Sequence, residues 1–330
     1  MIGLALGVLL ACGCGRSGKH AAENDAAPAA ESAALTRIAF QTDWYPQPEH
    51  GGFYQALERG FYREAGLDVT ILPGGPRALV LQKLGMGQVQ LAMWRSDDVT
   101  VAISRGVPLW CLAGVFQKSP QALMFRAEHP VRSIEDLEGR VVMAGAASVW
   151  VQLAERRHGI QIHLTPLTFS IAQFLQNPLL VQQCMVTSEP FQAAKAGAEV
   201  GTFMLDESGS APYHAIIANR DWVSAHPEAS EAFVRASLRG WKDFLEGDPT
   251  PAFAAIARLN PMHGEASMNF SRQAMLEHHL VRGDRPGETL GALDASRLEA
   301  QARLLFELGI AEREVTVDEL IAPGRKGRSE

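Results

Sequence analysis

The chain has 330 residues, enough for two domains of ordinary size. Hydrophobic residues make up 47% of it and charged residues 20%, a globular composition. The net charge of -7 leaves no basic footprint and excludes nucleic acid as a partner.

The chain opens on MIGLALGVLLACGC. Ile2 to Ala11 is an apolar run with the length of a secretory signal, too short to span a bilayer as a folded helix. Leu9-Leu10-Ala11-Cys12 resembles the bacterial lipobox, so Cys12 is the expected lipidation site, with Cys14 as the alternative. An uncleaved anchor, or a signal peptide cut further on, are the competing readings. Residues 15–35 are rich in Ala, Ser, Gly and Glu and bury too little surface to offset ordering entropy, so they read as a flexible tether. Together these place the mature protein outside the cytoplasm, lipid-anchored to a bacterial membrane. Only Cys111 and Cys184 remain for the folded body. Each lies in an apolar, strand-like run without a metal-ligand or CxxC neighbour. A disulfide between them is conceivable, but buried free thiols fit better.

After the tether, strands and helices alternate. A strand opens at Arg37 and stops near Trp44. Phe53, Leu57 and Phe61 repeat at helical spacing and predict a helix over 52–65, closed by Gly66. Leu67 to Leu72 alternates with the period of a strand. Pro76 sits at the first-turn position of a helix continuing over 78–84. A strand at 89–93, a helix at 98–105 and strands at 109–115 and 122–126 follow. The pattern restarts at Arg132, with strands at 141–143, 163–167 and 183–186 and helices at 148–158 and 171–176. Ala215 to Ala218 reads as a return strand. The remainder is helical, including 227–245 with Pro227 in its first turn and 295–308 capped by Asp294. Such alternation predicts an α/β fold with mainly parallel sheets.

Parallel α/β sheets bind ligands outside the carboxyl ends of their strands. Those ends carry Asp43, Trp44, Tyr45 and His50, then Gly75, then Trp94 and Ser96. In the second half they carry Ser148, Ser188 and Glu189. Aromatic faces stack on a planar ring, and carboxylates accept from ring amino groups. The set therefore favours a flat, nitrogen-bearing heterocycle. Large aromatics such as Trp44 and Trp94 are also common core anchors, the competing reading for both. No GxSxG elbow, HExxH helix or Walker loop is present, so no catalytic residue is assigned.

Asp43-Trp44-Tyr45-Pro46 through His50-Gly51-Gly52-Phe53-Tyr54, then Gly60-Phe61-Tyr62 and Gly66-Leu67-Asp68-Val69, resembles the opening of the thiamine-pyrimidine-precursor group of substrate-binding proteins. Thr187-Ser188-Glu189-Pro190-Phe191 and Asn219-Arg220-Asp221-Trp222 are similar to that group too, so the likeness runs from about 36 to 310. Gln47 stands where that group has Asn. The resemblance implies a two-lobed periplasmic-binding-protein fold with two hinge crossovers. Lobe one would comprise 36–126 and 218–320, lobe two 127–217, with a disordered tail over 321–330. It implies a monomer without cofactor or metal that captures a small molecule for an ABC permease and ATPase. The GLDV motif also occurs among nitrate, taurine and sulfonate binding proteins, which leaves those ligands as the alternative. A related eukaryotic branch is an iron-dependent enzyme of pyrimidine biosynthesis, with a histidine at the His50 position and a cysteine-rich motif before the return strand. Here that segment is Gly209 to His214, without cysteine. The enzyme reading is therefore set aside, because the soft metal ligands are missing. Tyr213, in that segment, completes the candidate ligand-binding set.

Overall fold

Two five-stranded sheets organise the protein, and the chain passes between them twice. The computed structural model describes residues 34–326 apart from 146–147, 169 and 209–210. The expectations for Cys12, Cys14 and nearly all of the tether lie outside the described residues.

The first sheet begins with β1 (Thr36–Gln41), followed by one 3-10 turn at Pro48–His50. Next come α1 (Gly51–Glu58), α2 (Phe61–Glu64), β2 (Leu67–Leu72), α3 (Val80–Gly85), β3 (Leu91–Arg95), α4 (Ser96–Ser104) and β4 (Leu109–Phe116). The chain then crosses to the second sheet. There it forms β5 (Gln121–Arg126), β6 (Val141–Ala144), α5 (Val149–His158), β7 (His163–Pro166), α6 (Ala172–Gln176), β8 (Val181–Met185), α7 (Glu189–Lys195) and β9 (Val200–Met204). It returns through β10 (His214–Asn219) into α8 (Arg220–Ala225), α9 (Pro227–Glu246), α10 (Thr250–Leu259), α11 (Glu265–Glu277), α12 (Ala295–Glu307) and α13 (Val317–Leu320).

Strand order is β2-β1-β3-β10-β4 in one sheet and β7-β6-β8-β5-β9 in the other. β1 runs parallel to β2 and β3, whereas β10 is antiparallel to β3 and β4. β5 is likewise antiparallel to β8 and β9. Each sheet is thus mixed, not mainly parallel, because each crossing strand enters from the far side. The lobe boundaries move for the same reason. β5 belongs to the second sheet and β10 to the first, so the crossings fall at 117–120 and 205–213 and not at 126 and 217.

Alternation along β1 fixes the layers. Ile38 and Phe40 face a core with Phe53, Tyr54, Phe233 and Trp241 of α1 and α9. Ala39 faces the opposite core, built from Val80, Leu84, Val99, Ile103 and Leu298. Helices α1 and α9 approach closely because both carry glycine at the crossing. A Cβ on Gly240 would lie 2.3 Å from the Gly52 carbonyl oxygen.

Local rules explain the other departures. Gly60 adopts a left-handed φ of 76° and splits the predicted helix over 52–65 into α1 and α2. Pro76 precedes the helix by several residues, since α3 starts at Val80 behind a left-handed Leu79. The tail is not free at its start. Ile321 bridges Cys111, and the Arg325 guanidinium bonds Glu231 2.5 Å away. Cys111 and Cys184 are free, buried thiols on different sheets.

The lobes also touch away from the crossings. Val149 and Leu153 of α5 pack against Leu305, Ile310 and Ala311. Phe191 meets Phe270 with ring centroids 5.3 Å apart.

Candidate ligand-binding site

The carboxyl end of β1 turns sharply at Asp43, and the 3-10 turn brings His50 back over it. His50 Nε2 lies 2.6 Å from Asp43 Oδ1, and the His50 ring is fully buried. The other carboxylate oxygen of Asp43 is 3.8 Å from Nδ1 of His214, the first residue of β10. Burial pushes the Asp43 carboxyl upward, but its hydrogen bond with His50 and the electrostatic pull of the two neighbouring imidazoles outweigh burial and leave it below its ordinary value. Burial drives His214 down to about 4 despite Asp43, so its ring is neutral at pH 7.

Register sets the next shell of residues. His214 pairs with Arg95, the last residue of β3. The Arg95 guanidinium donates to Asp98 Oδ2 at 2.7 Å and to Gln121 Oε1 at 2.5 Å, and faces Asp97 at 3.5 Å. Because Gln121 begins β5, this bond joins the two lobes. Burial opposes the Arg95 charge, yet Asp97 and Asp98 more than offset it and hold the guanidinium ionised. Its donors are occupied, so it is not a free anion clamp.

A second cross-lobe contact lies on the other side of His50. Glu49, also buried, accepts a hydrogen bond from the Thr187 hydroxyl. Ser271 of α11 donates to the Thr187 carbonyl at 2.7 Å. Glu189 accepts from the Met185 amide at 2.8 Å. Burial lifts the Glu189 carboxyl to about 7, against the pull of that amide and with a further push from Glu49. Ser188 stands at the N-cap position of α7 without a side-chain capping bond, and Ser148 stands at the start of α5.

Trp44 is half-buried and Tyr45 exposed, their rings edge-to-face at 5.5 Å. Tyr45 and Gly75 border an open hollow of about 510 Å³. A larger hollow, about 640 Å³, lies where β1 and β2 begin, at Thr36 and Leu67. That is the amino end of the strands, away from the clustered polar groups and from the end where such sheets bind ligands.

Three expected ligand residues have their polar atoms committed within the fold. The Ser96 hydroxyl is buried, donating to Gln301 at 2.9 Å and accepting from the Tyr213 amide at 3.0 Å. Tyr213 is buried, with its hydroxyl accepting from the Asp294 amide at 3.1 Å and its ring under Arg297 at 3.9 Å. Trp94 donates its indole N–H to Asp98 at 3.1 Å and packs on the core beside α3 and α4. These groups spend their polar atoms inside lobe one. Glu49, Arg95, Gln121 and His214 join the site without being among the residues expected from sequence. Glu49 adjoins His50, a usable local signal; the others meet the site only through strand pairing.

Sheets of this order, joined by two crossings with polar side chains gathered at strand ends, define the periplasmic-binding-protein fold. The aliphatic sulphonate binding protein SsuA of Escherichia coli superposes with a TM-score of 0.66 at 16% identity, covering 90% of this chain and 94% of that one. The family model described as NMT1/THI5 like matches residues 47–252, and the chain belongs to that family. A formylaminopyrimidine-binding protein of Halalkalibacterium halodurans is 27% identical over 82% of this chain and 85% of its own. Riboflavin-binding protein RibY of Chloroflexus aurantiacus is 24% identical over 83% and 82%. A 4-amino-5-hydroxymethyl-2-methylpyrimidine phosphate synthase of Aspergillus parasiticus is 21% identical over 69% and 72%.

Proposed function

We propose that this protein captures a small planar nitrogen heterocycle of the pyrimidine kind outside the cytoplasm and delivers it to an ABC permease and its ATPase. It acts by closure of two lobes, with no covalent chemistry. One observation carries the reading: the buried His50–Asp43 pair ends β1 directly beside the aromatic pair Trp44 and Tyr45. A fixed carboxylate beside a flat apolar surface suits a ring with amino substituents. Ser188 and Glu189 meet the ligand from the second lobe. Ser148 joins them at the start of α5. The binding proteins among the relatives support this class of ligand. The apolar leader ending in Cys12 supports a lipid anchor, and the protein works as a monomer.

A second reading, a pyrimidine-forming enzyme, is favoured by the synthase relative. The iron-dependent branch of that chemistry needs a metal held by several donors. Here His50 commits Nε2 to Asp43, and among the described residues no three His, Cys, Asp or Glu converge on a common point. The donor set does not fit such a metal.

Thermal melting against aminopyrimidines, flavins, taurine, alkanesulfonates and nitrate tests the proposal, since a ligand that binds only the folded state raises the midpoint. A shift with ring compounds and no turnover on prolonged incubation is expected. A shift with taurine or sulfonates alone would overturn the heterocycle, and consumption of the bound compound would overturn simple capture.

A further inference from the structure

The hollow beside Tyr45 holds charge that nothing in the fold uses. It is bordered by Gln41, Tyr45, Gly75, Arg77 and Lys83. Arg77 and Lys83 form no ion pair among the described residues, whereas Arg95 and Arg297 are each committed to carboxylates. Gln41, only 2% exposed, ends β1 and donates to the Pro73 carbonyl at 3.1 Å. Its amide oxygen is buried and has no hydrogen-bond partner. A buried acceptor left unpaired is costly, so a group that donates to it is favoured there. Gly75, at φ 131°, lets the loop turn while sparing the Tyr45 ring, which a Cβ would approach to 3.1 Å.

Resting on the heterocycle reading above, we infer that this hollow is a subsite for an anionic group carried by the ligand, a phosphate monoester. Arg77 and Lys83 supply two unneutralised positive charges to match a dianion. Gln41 Oε1 accepts from an N–H or O–H of the same ligand. Tyr45 forms the wall shared with the ring site, so one molecule spans both. A buried anion clamp is not required, because the hollow is open and its cations sit at the rim.

The test compares compounds that differ only in the phosphate: 4-amino-5-hydroxymethyl-2-methylpyrimidine against its phosphate, and riboflavin against flavin mononucleotide. Calorimetry on the full-length wild-type protein is expected to show at least about tenfold tighter binding of a phosphorylated form, the scale of one charge-assisted hydrogen bond. The double variant Arg77→Gln, Lys83→Gln should lose that preference, and Gln41→Leu should weaken both members of a pair. The melting curve of each unliganded variant controls for folding. Equal affinity for both members of a pair overturns the subsite and leaves the heterocycle reading standing. No binding of any of the four overturns both. Inorganic phosphate or taurine binding as tightly as the phosphorylated ring makes this a free-anion site and overturns the ligand-borne assignment. Preference that survives in the double variant also overturns it.

Discussion

His50 Nε2 and Asp43 Oδ1 stand 2.6 Å apart with the histidine ring wholly buried, so the carboxylate is fixed before any ligand arrives. The ring donates from Nε2, and its Nδ1 is buried without a partner. Asp43→Asn keeps the shape and removes the charge. Loss of a hydrogen bond to a charged group costs about 1.5–3 kcal/mol. The folded Asp43 carboxyl titrates below its ordinary value, so its contribution is present above the unfolded value and is lost as pH falls through the folded one. Urea unfolding should therefore show Asp43→Asn less stable at pH 7 and less sensitive to acid below about pH 4. Equal acid sensitivity in both proteins would show that the pair carries no charge.

Trp44 and Tyr45 separate binding from folding. Tyr45 is 51% exposed, so Tyr45→Ala should change stability by no more than about 0.5 kcal/mol. If its ring faces the ligand, affinity falls by about 0.5–1.5 kcal/mol, some two- to tenfold. Trp44→Ala should lose more affinity, since the half-buried indole is the larger surface. Fluorescence titration alongside a melting curve distinguishes the cases. A Trp44→Ala protein that fails to fold assigns the indole to packing instead.

Gly74 ties the second strand loop to the first. A Cβ there would sit 2.1 Å from the Thr42 carbonyl oxygen and 2.5 Å from the Asp43 carbonyl carbon. Both are backbone atoms and cannot rotate away. Gly74→Ala should thus cost about 1–3 kcal/mol of stability, the range for forced overpacking. Because the displaced segment carries Asp43, ligand affinity should fall in the same variant. Stability lost with affinity intact would mean that the loop yields on the β2 side and leaves Asp43 in place.

Local pattern reached the elements whose cause is local. β2 was legible because Leu67 and Val69 alternate with exposed Asp68 and Thr70, and α9 because Phe233, Trp241 and Phe244 share a face. The aromatic and acidic residues after β1 were legible as a strand end. Long-range pairing was not. Ser96 looks free in sequence, yet its partner Gln301 lies 205 residues away. Tyr213 meets Asp294 across 81 residues. His214 enters the site only because β10 runs antiparallel to β3, placing it opposite Arg95. β9 was missed because Val200-Gly201-Thr202-Phe203-Met204 is a short edge strand with little alternation.

His214 and Glu189 titrate in opposite senses between pH 4.5 and 6.5. Folding lowers His214 from 6.5 to about 4, chiefly by burial. The unfolded chain then binds a proton that the folded protein refuses, so stability falls as pH drops through that window, by up to about 3 kcal/mol. Folding raises Glu189 from 4.5 to about 7, again chiefly by burial. The folded protein keeps a proton that the unfolded chain releases, so stability falls as pH rises from 4.5 through 7. Burial also raises Asp97 to about 6, which adds to the Glu189 slope, so in the wild type these slopes partly offset that of His214. Glu189→Gln removes one slope, so its stability should rise more steeply, or fall less, with pH from 4.5 to 6.5 than that of the wild type. His214→Gln should leave the reverse. Midpoints in urea, measured at half-unit steps of pH for the three proteins, decide it. A His214→Gln protein whose profile matches that of the wild type would mean that His214 takes up its proton at an ordinary pH, and so is not sealed behind Asp43 and Phe116 as the structure places it.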